Sequence, residues 1–271
     1  MIRRQRHPQS IKMKTAGFFK RNYLMLLQII GFLVLWQLII VVFNIKEYII
    51  PSPLAVFAVL FNPQAAAAYL WGKQITATLI EIACGFAISA FLGILIAVII
   101  SWSIFLRSIV MPLLVFFNSI PKIAMAPLFL IWFGYGIIPN IMIAILIAFF
   151  PVVINTVAGL NAVDQDLLDL VNYLHGTRWQ VFVKIQFPNA LPFVFSGLKI
   201  STTLSVVGAV IGEFIASDRG LGFVLMDSQA LIDTPPMFAG LIVIAVLGLG
   251  LFGLVSFLER LLIPWQKVNA V

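Results

Sequence analysis

The sequence predicts an all-α polytopic membrane protein of about six transmembrane helices, with both termini on the cytoplasmic side. Three observations predict it. The chain is 62% hydrophobic and has a mean hydropathy of +1.10. Only 10% of its 271 residues are charged, against roughly 25% in a soluble globular domain. Its apolar residues gather in runs near the length of about 20 that crosses the hydrocarbon layer. Lipid is therefore the expected solvent for most of its surface. The net charge of +7 does not argue for nucleic acid, because the basic residues sit beside the apolar runs, as membrane topology places them.

The runs are placed at 23–43, 74–101, 109–133, 138–159, 190–216 and 237–260. The basic segment 1–22 precedes the first run, which is too long for a signal core and lacks a small-x-small cleavage site. It reads as an uncleaved span, and 23–271 reads as one transmembrane domain. Between the first two runs, PSPLAVFAVLF suggests a short helix lying at the interface. The second run carries Glu81 and Cys84, the one cysteine, so no intrachain disulfide exists and Cys84 reads as a small packing residue. The third run holds Pro112, Pro121 and Pro127 and is expected to be broken or kinked. Broken backbone at membrane depth is tolerated only where protein or a water-filled cavity surrounds it. The fourth run holds Asn155. The fifth holds Glu213, with Gly208 and Gly212 suited to close helix packing.

Orientation follows from the basic residues. With both ends inside, Arg3, Arg4, Arg6, Lys12, Lys14, Lys20, Arg21, Arg107, Arg178, Lys184, Lys199, Arg260 and Lys267 fall inside, against Lys46, Lys73 and Arg219 outside. The polar insert at about 160–189 is then cytoplasmic.

That insert reads as two short helices. Asp164 caps the first, whose Leu167, Leu168, Leu170, Val171 and Leu174 follow helical spacing. His175-Gly176 ends it, with Gly176 expected at positive φ. Thr177 and Gln180 have capping-box spacing, and the second helix, carrying Trp179 and Phe182, is expected to stop by Pro188. The helices could lie on the membrane surface. The mix of Asp164, Asp166 and Asp169 with Arg178 and Lys184 favours a docking surface instead, with Trp179 and Phe182 as anchors.

Within the runs, ionisable residues default to functional candidates. Lys122, beside Pro121, is expected to line a solute pathway, with Asn118, Ser119 and Asn155 as polar lining. Glu81 and Glu213 are further pathway candidates. Their alternative is structural pairing with Lys73, Arg219 or Lys122. His7 and His175 lie far apart and lack cysteine neighbours, so no metal site is expected.

The insert also resembles the cytoplasmic "EAA" loop of ABC importer permeases. Asp169 stands where that pattern has Glu, Leu170 and Val171 where it has two alanines, His175 where it has Gly, and Phe187-Pro188 where it closes. PKIAMAPLFLIWFGYG (121–136), FFPVVINTVAGL (149–160), GLKIS (197–201) and GEFIASDRGLG (212–222) are similar to the nitrate/sulfonate/taurine branch, nearest to permeases for thiamine-precursor pyrimidines and riboflavin. The resemblance implies a type I ABC importer permease in a bacterial inner membrane. It implies two ATPase subunits, a periplasmic or lipid-anchored binding protein and a second copy of the chain. It implies ATPase coupling through Asp169, Leu170, Val171, His175, Gly176, Thr177, Arg178, Trp179, Phe182 and Pro188. No GxxxxGK[ST] loop is present, so ATP and Mg2+ are expected on the partner ATPase and no cofactor or catalytic residue in this chain. An ion-coupled secondary transporter is the alternative, but it usually shows paired broken helices in repeated halves, and no repeat appears.

Overall fold

The computed structural model describes residues 27–265, and every regular element within them is helical. The basic segment 1–22 and the start of the first run lie outside the described residues. From that run, α1 (Leu27–Val42) is described. Four helices are long and apolar enough to cross a membrane: α4 (Trp71–Ser101), α7 (Ile137–Leu160), α10 (Phe187–Ala216, together with the turns before it) and α12 (Thr234–Leu262). α5 (Ile104–Ser119), a 3₁₀ turn (Lys122–Met125) and α6 (Ala126–Phe133) are together long and apolar enough for a fifth, but the pair is bent by 81°, the form of a broken span or a re-entrant loop.

Of the three prolines in that span, Pro121 makes the break. Ile120 before it is extended, with ψ of 131°, as a residue preceding proline prefers. Pro112 sits inside α5, and Pro127 occupies the first turn of α6, where a missing N–H costs nothing.

α7 is the centre of the bundle, packed between α4 and α10. Small residues let the three backbones approach. A Cβ on Gly85 would sit 2.6 Å from the Ala144 Cβ, and one on Gly208 would sit 2.5 Å from the Ala144 Cα. Gly212 meets Asn140 Cα at 2.7 Å in the same way. This is the close packing expected of Gly208 and Gly212.

The bundle has two distinguishable ends. At one end lie the α4–α5 turn and the polar insert. At the other lie α2 (Pro53–Phe61), α3 (Pro63–Tyr69) and α11 (Leu221–Ala230). Ser52 caps α2 as a helix, but α2 does more than lie at an interface. Val56 is fully buried in a cluster with Trp71 and Leu221. The Tyr69 hydroxyl donates to Asp233 Oδ2 at 2.7 Å. Burial first, and then that bond, push the phenol up to about 12, so it remains a donor at any working pH.

Lys199 stands within α10, paired at 2.5 Å with Glu259 in the last turns of α12, beside Arg260. An ammonium in an apolar bundle needs such a partner. Glu259 lies far along the chain, so spacing gave no sign of it.

Candidate functional site

The insert folds as α8 (Gln165–Tyr173) and α9 (Arg178–Val181). Asp164 caps α8 by accepting from the Asp166 N–H at 3.0 Å. Thr177 Oγ1 accepts from the Gln180 N–H at 3.3 Å, and Gln180 Oε1 accepts from the Thr177 N–H at 2.9 Å, a complete capping box.

Two expectations for the insert are corrected. The left-handed residue of the turn is His175, at φ of 58°, and not Gly176. Gly176 is needed for a different reason, because a Cβ there would lie 2.4 Å from Val171 Cγ1 and 3.1 Å from its carbonyl oxygen. The second helix also does not stop by Pro188. It runs through a π-helical turn (Phe182–Gln186) straight into α10, and the Phe187 N–H bonds back to the Phe182 carbonyl. Pro188 follows that π-helical turn directly, and the wider turn accommodates its ring and missing N–H within a continuous helix. α9 is therefore a rigid extension of a membrane-crossing helix.

Neither α8 nor α9 buries a residue in this chain. Asp169, Leu170, His175, Thr177 and Arg178 are exposed, and Val171 and Gly176 are half-buried. Trp179 remains 62% exposed despite being the largest side chain of the insert. Its ring stands 6.1 Å from Trp102 and 5.9 Å from Phe182, and Trp102 and Phe182 are 5.2 Å apart. Trp102 belongs to the α4–α5 turn, a residue the sequence reading passed over. A tryptophan between an apolar run and the N-capping Ser103 was the available signal. Trp102, Phe182 and Arg178 border a cleft of about 680 Å³.

A second region gathers around the break at Pro121. Lys122 Nζ donates to the Asn118 carbonyl at 2.8 Å and to Asn118 Oδ1 at 2.9 Å, and lies 5.0 Å from the Phe150 ring centre. Its groove, about 300 Å³, is lined by Phe117, Lys122, Phe149 and Phe150 among others. Asn118 and Ser119 are exposed beside it. Asn155 lies elsewhere, against Gly197 of α10, with its amide on the Pro151 carbonyl.

Glu81 and Glu213 do not join Lys122, Lys73 or Arg219 in an ion pair. Both are essentially fully buried, and they meet each other at the end opposite the insert. Asn140 Nδ2 donates to Glu81 Oε1 at 2.9 Å. Thr78 Oγ1 and the Gly222 N–H each donate to Glu213 at 2.5 Å.

Comparison with known proteins places the chain as a whole. A family model described as "Binding-protein-dependent transport system inner membrane component" matches residues 89–264. The formylaminopyrimidine transport permease protein ThiX of Halalkalibacterium halodurans is 33% identical over 92% of this chain and 99% of its own length. The riboflavin transport system permease protein RibX of Chloroflexus aurantiacus is 33% identical, covering 86% of this chain and 87% of its own. The inward-facing MetNI methionine ABC transporter has a chain of like fold, with a TM-score of 0.58 at 18% identity, over 72% of this chain and 96% of that one.

Proposed function

From the premise that this chain belongs to the family of inner-membrane components of binding-protein-dependent transport systems, we propose that it works as a homodimer in a bacterial inner membrane, passing a small polar ring compound inward. It is an ABC importer permease subunit and a multi-pass membrane protein. A separate pair of ATPases supplies the energy, and a binding protein delivers the solute.

The observation that carries the reading is the insert. A doubly capped helix pair with an exposed tryptophan, continuous with a crossing helix, is built to meet a protein and to transmit the contact. The broken span supports the second copy. Ser119 and Pro121 are exposed at the break, and irregular backbone in the bilayer must be covered by protein or line water. Two copies facing each other across their breaks satisfy that need and place Lys122 on a shared route. The groove also favours a ring compound over a bare anion, since Phe117, Phe149 and Phe150 offer faces beside one compact donor. ThiX and RibX are named for ring compounds of this kind.

The test is capture from membranes co-expressing a tagged and an untagged copy with the ATPase. The tagged chain should retain both, and Trp179→Ala should lose the ATPase while keeping the second copy. A purified complex holding two different permease chains would overturn the homodimer.

A further inference from the structure

The buried cluster around Glu213 is unused by the transport reading, and its hydrogen bonds are unusually complete on one side and incomplete on the other. α11 begins at Leu221, so its first backbone N–H groups have no partner within the helix. Side chains from two other helices take them. Gly220 N–H donates to Gln74 Oε1 at 2.7 Å, Leu221 N–H to Thr78 Oγ1 at 2.8 Å, and Gly222 N–H to Glu213 Oε2 at 2.5 Å. Thr78 passes its own proton on to Glu213 Oε1. Glu213 therefore receives a donor on each oxygen and faces the start of a helix, where negative charge is favoured.

Glu81 lies against it in a different state. Oε1 accepts from Asn140, but Oε2 is buried and has no donor among the described residues. Glu81 lies one helical turn from Thr78, which bonds Glu213, and its own partner Asn140 packs against Gly212, so the carboxyl that faces it is that of Glu213. Two buried carboxylates in contact repel, and an unpaired buried oxygen is costly. One proton on Glu81 Oε2 removes both problems, because the resulting O–H can donate to Glu213. Arg219, on the turn before α11, makes no ion pair with either glutamate; its carboxylate neighbour is Asp218, at 3.8 Å.

We propose that Glu81 and Glu213 hold one proton between them, Glu81 as the donor and Glu213 as the acceptor, and that it locks the first turn of α11 onto α4 and α10. The cluster is a proton-binding site between helices, and its product is a fixed position for the α10–α11 turn. Gly220 fits this role. Its φ is +102°, and a Cβ there would lie 2.1 Å from Glu213 Oε1.

The assignment of donor and acceptor makes the two glutamates unequal. In Glu81→Gln the amide N–H replaces the acid O–H and the amide oxygen still accepts from Asn140. In Glu213→Gln an N–H must confront the Thr78 hydroxyl or the Gly222 N–H. The purified full chain in lipid nanodiscs should therefore melt within about 2 °C of the parent for Glu81→Gln, and lower by roughly 5 °C or more for Glu213→Gln. Infrared difference spectra should show the carbonyl stretch of a protonated carboxylic acid in the parent and its loss in Glu81→Gln. Equal melting of the two variants, or no such band, overturns the proposal. So does a melting temperature that rises with sodium but not with choline, which would mean a bound cation in place of the proton. If Glu213→Gln does not fold, the infrared comparison of the parent with Glu81→Gln decides alone. None of these measurements uses transport, so their failure is separable from failure of the importer reading.

Discussion

The insert and the Glu213 cluster are both polar exceptions in a lipid-soluble chain, and they satisfy their polar groups in opposite ways. The insert does it locally. Asp164, Thr177 and Gln180 bond backbone two or three residues away, and α8 and α9 leave their large side chains exposed. The cluster does it at long range. Thr78 reaches Glu213, Gln74 reaches Gly220, and the residues that meet are fully enclosed. A locally closed, exposed element holds its shape without the rest of the bundle and offers surface to something else. A long-range, enclosed one has no surface to offer and exists to hold helices together. The difference predicts that damage to the cluster is felt as lost stability, whereas damage to the insert is felt as lost coupling.

The largest effect on stability is expected from Gly220→Ala. The methyl group would meet the Glu213 carboxyl, and alanine at φ of +102° is strained in any surroundings. Strain and overpacking together cost about 3–5 kcal/mol. Thermal melting of the purified chain and its yield from membranes measure this. A melting temperature equal to the parent's would show that the cluster is not what holds the α10–α11 turn.

Lys122 stands between the two regions, and so sharpens the comparison. It is half-buried, and its partners belong to Asn118 four residues away, so removing it orphans no distant group. Lys122→Ala is expected to change stability by less than about 1 kcal/mol. Uptake of a pyrimidine or flavin by the reconstituted transporter should nonetheless fall by roughly tenfold or more, the loss of one charged hydrogen bond along the route. Unchanged uptake, with Lys122 found at the lipid headgroups, ends the pathway role.

The same division explains what could be read in the sequence. The caps of the insert were legible because cap and helix lie three residues apart. The break was legible as a region, but Pro112, Pro121 and Pro127 look alike until the backbone places Pro112 inside α5, Pro127 in the first turn of α6 and Pro121 alone at the break. Gly176 was misread because glycine beside a helix end is the default left-handed residue. Here His175 takes that conformation and Gly176 makes room for Val171. The continuity of α9 with α10 was hidden by Pro188, which a π-helical turn accommodates. The Glu81–Glu213 contact was not legible at all. Its members are separated by most of the bundle in sequence, and each carboxylate alone resembles a residue near the membrane surface.

The smallest effect on stability is expected in the insert, and there the comparison can be broken most cleanly. Arg178→Glu reverses charge on an exposed helix that buries nothing in this chain. Gly176→Val forces the α8–α9 turn open, because its Cβ would overlap Val171. Both changes should shift the melting temperature by no more than about 2 °C, as surface changes away from the core do. Both should abolish stimulation of the ATPase by loaded binding protein in reconstituted vesicles, since the turned or recharged surface no longer fits its partner and α9 can no longer push on α10. Normal stimulation in both variants would mean that the insert does not transmit the contact. Melting lowered as far as in Gly220→Ala would mean that the insert belongs to the core after all, and the distinction between an element that meets a partner and one that holds the bundle would fail.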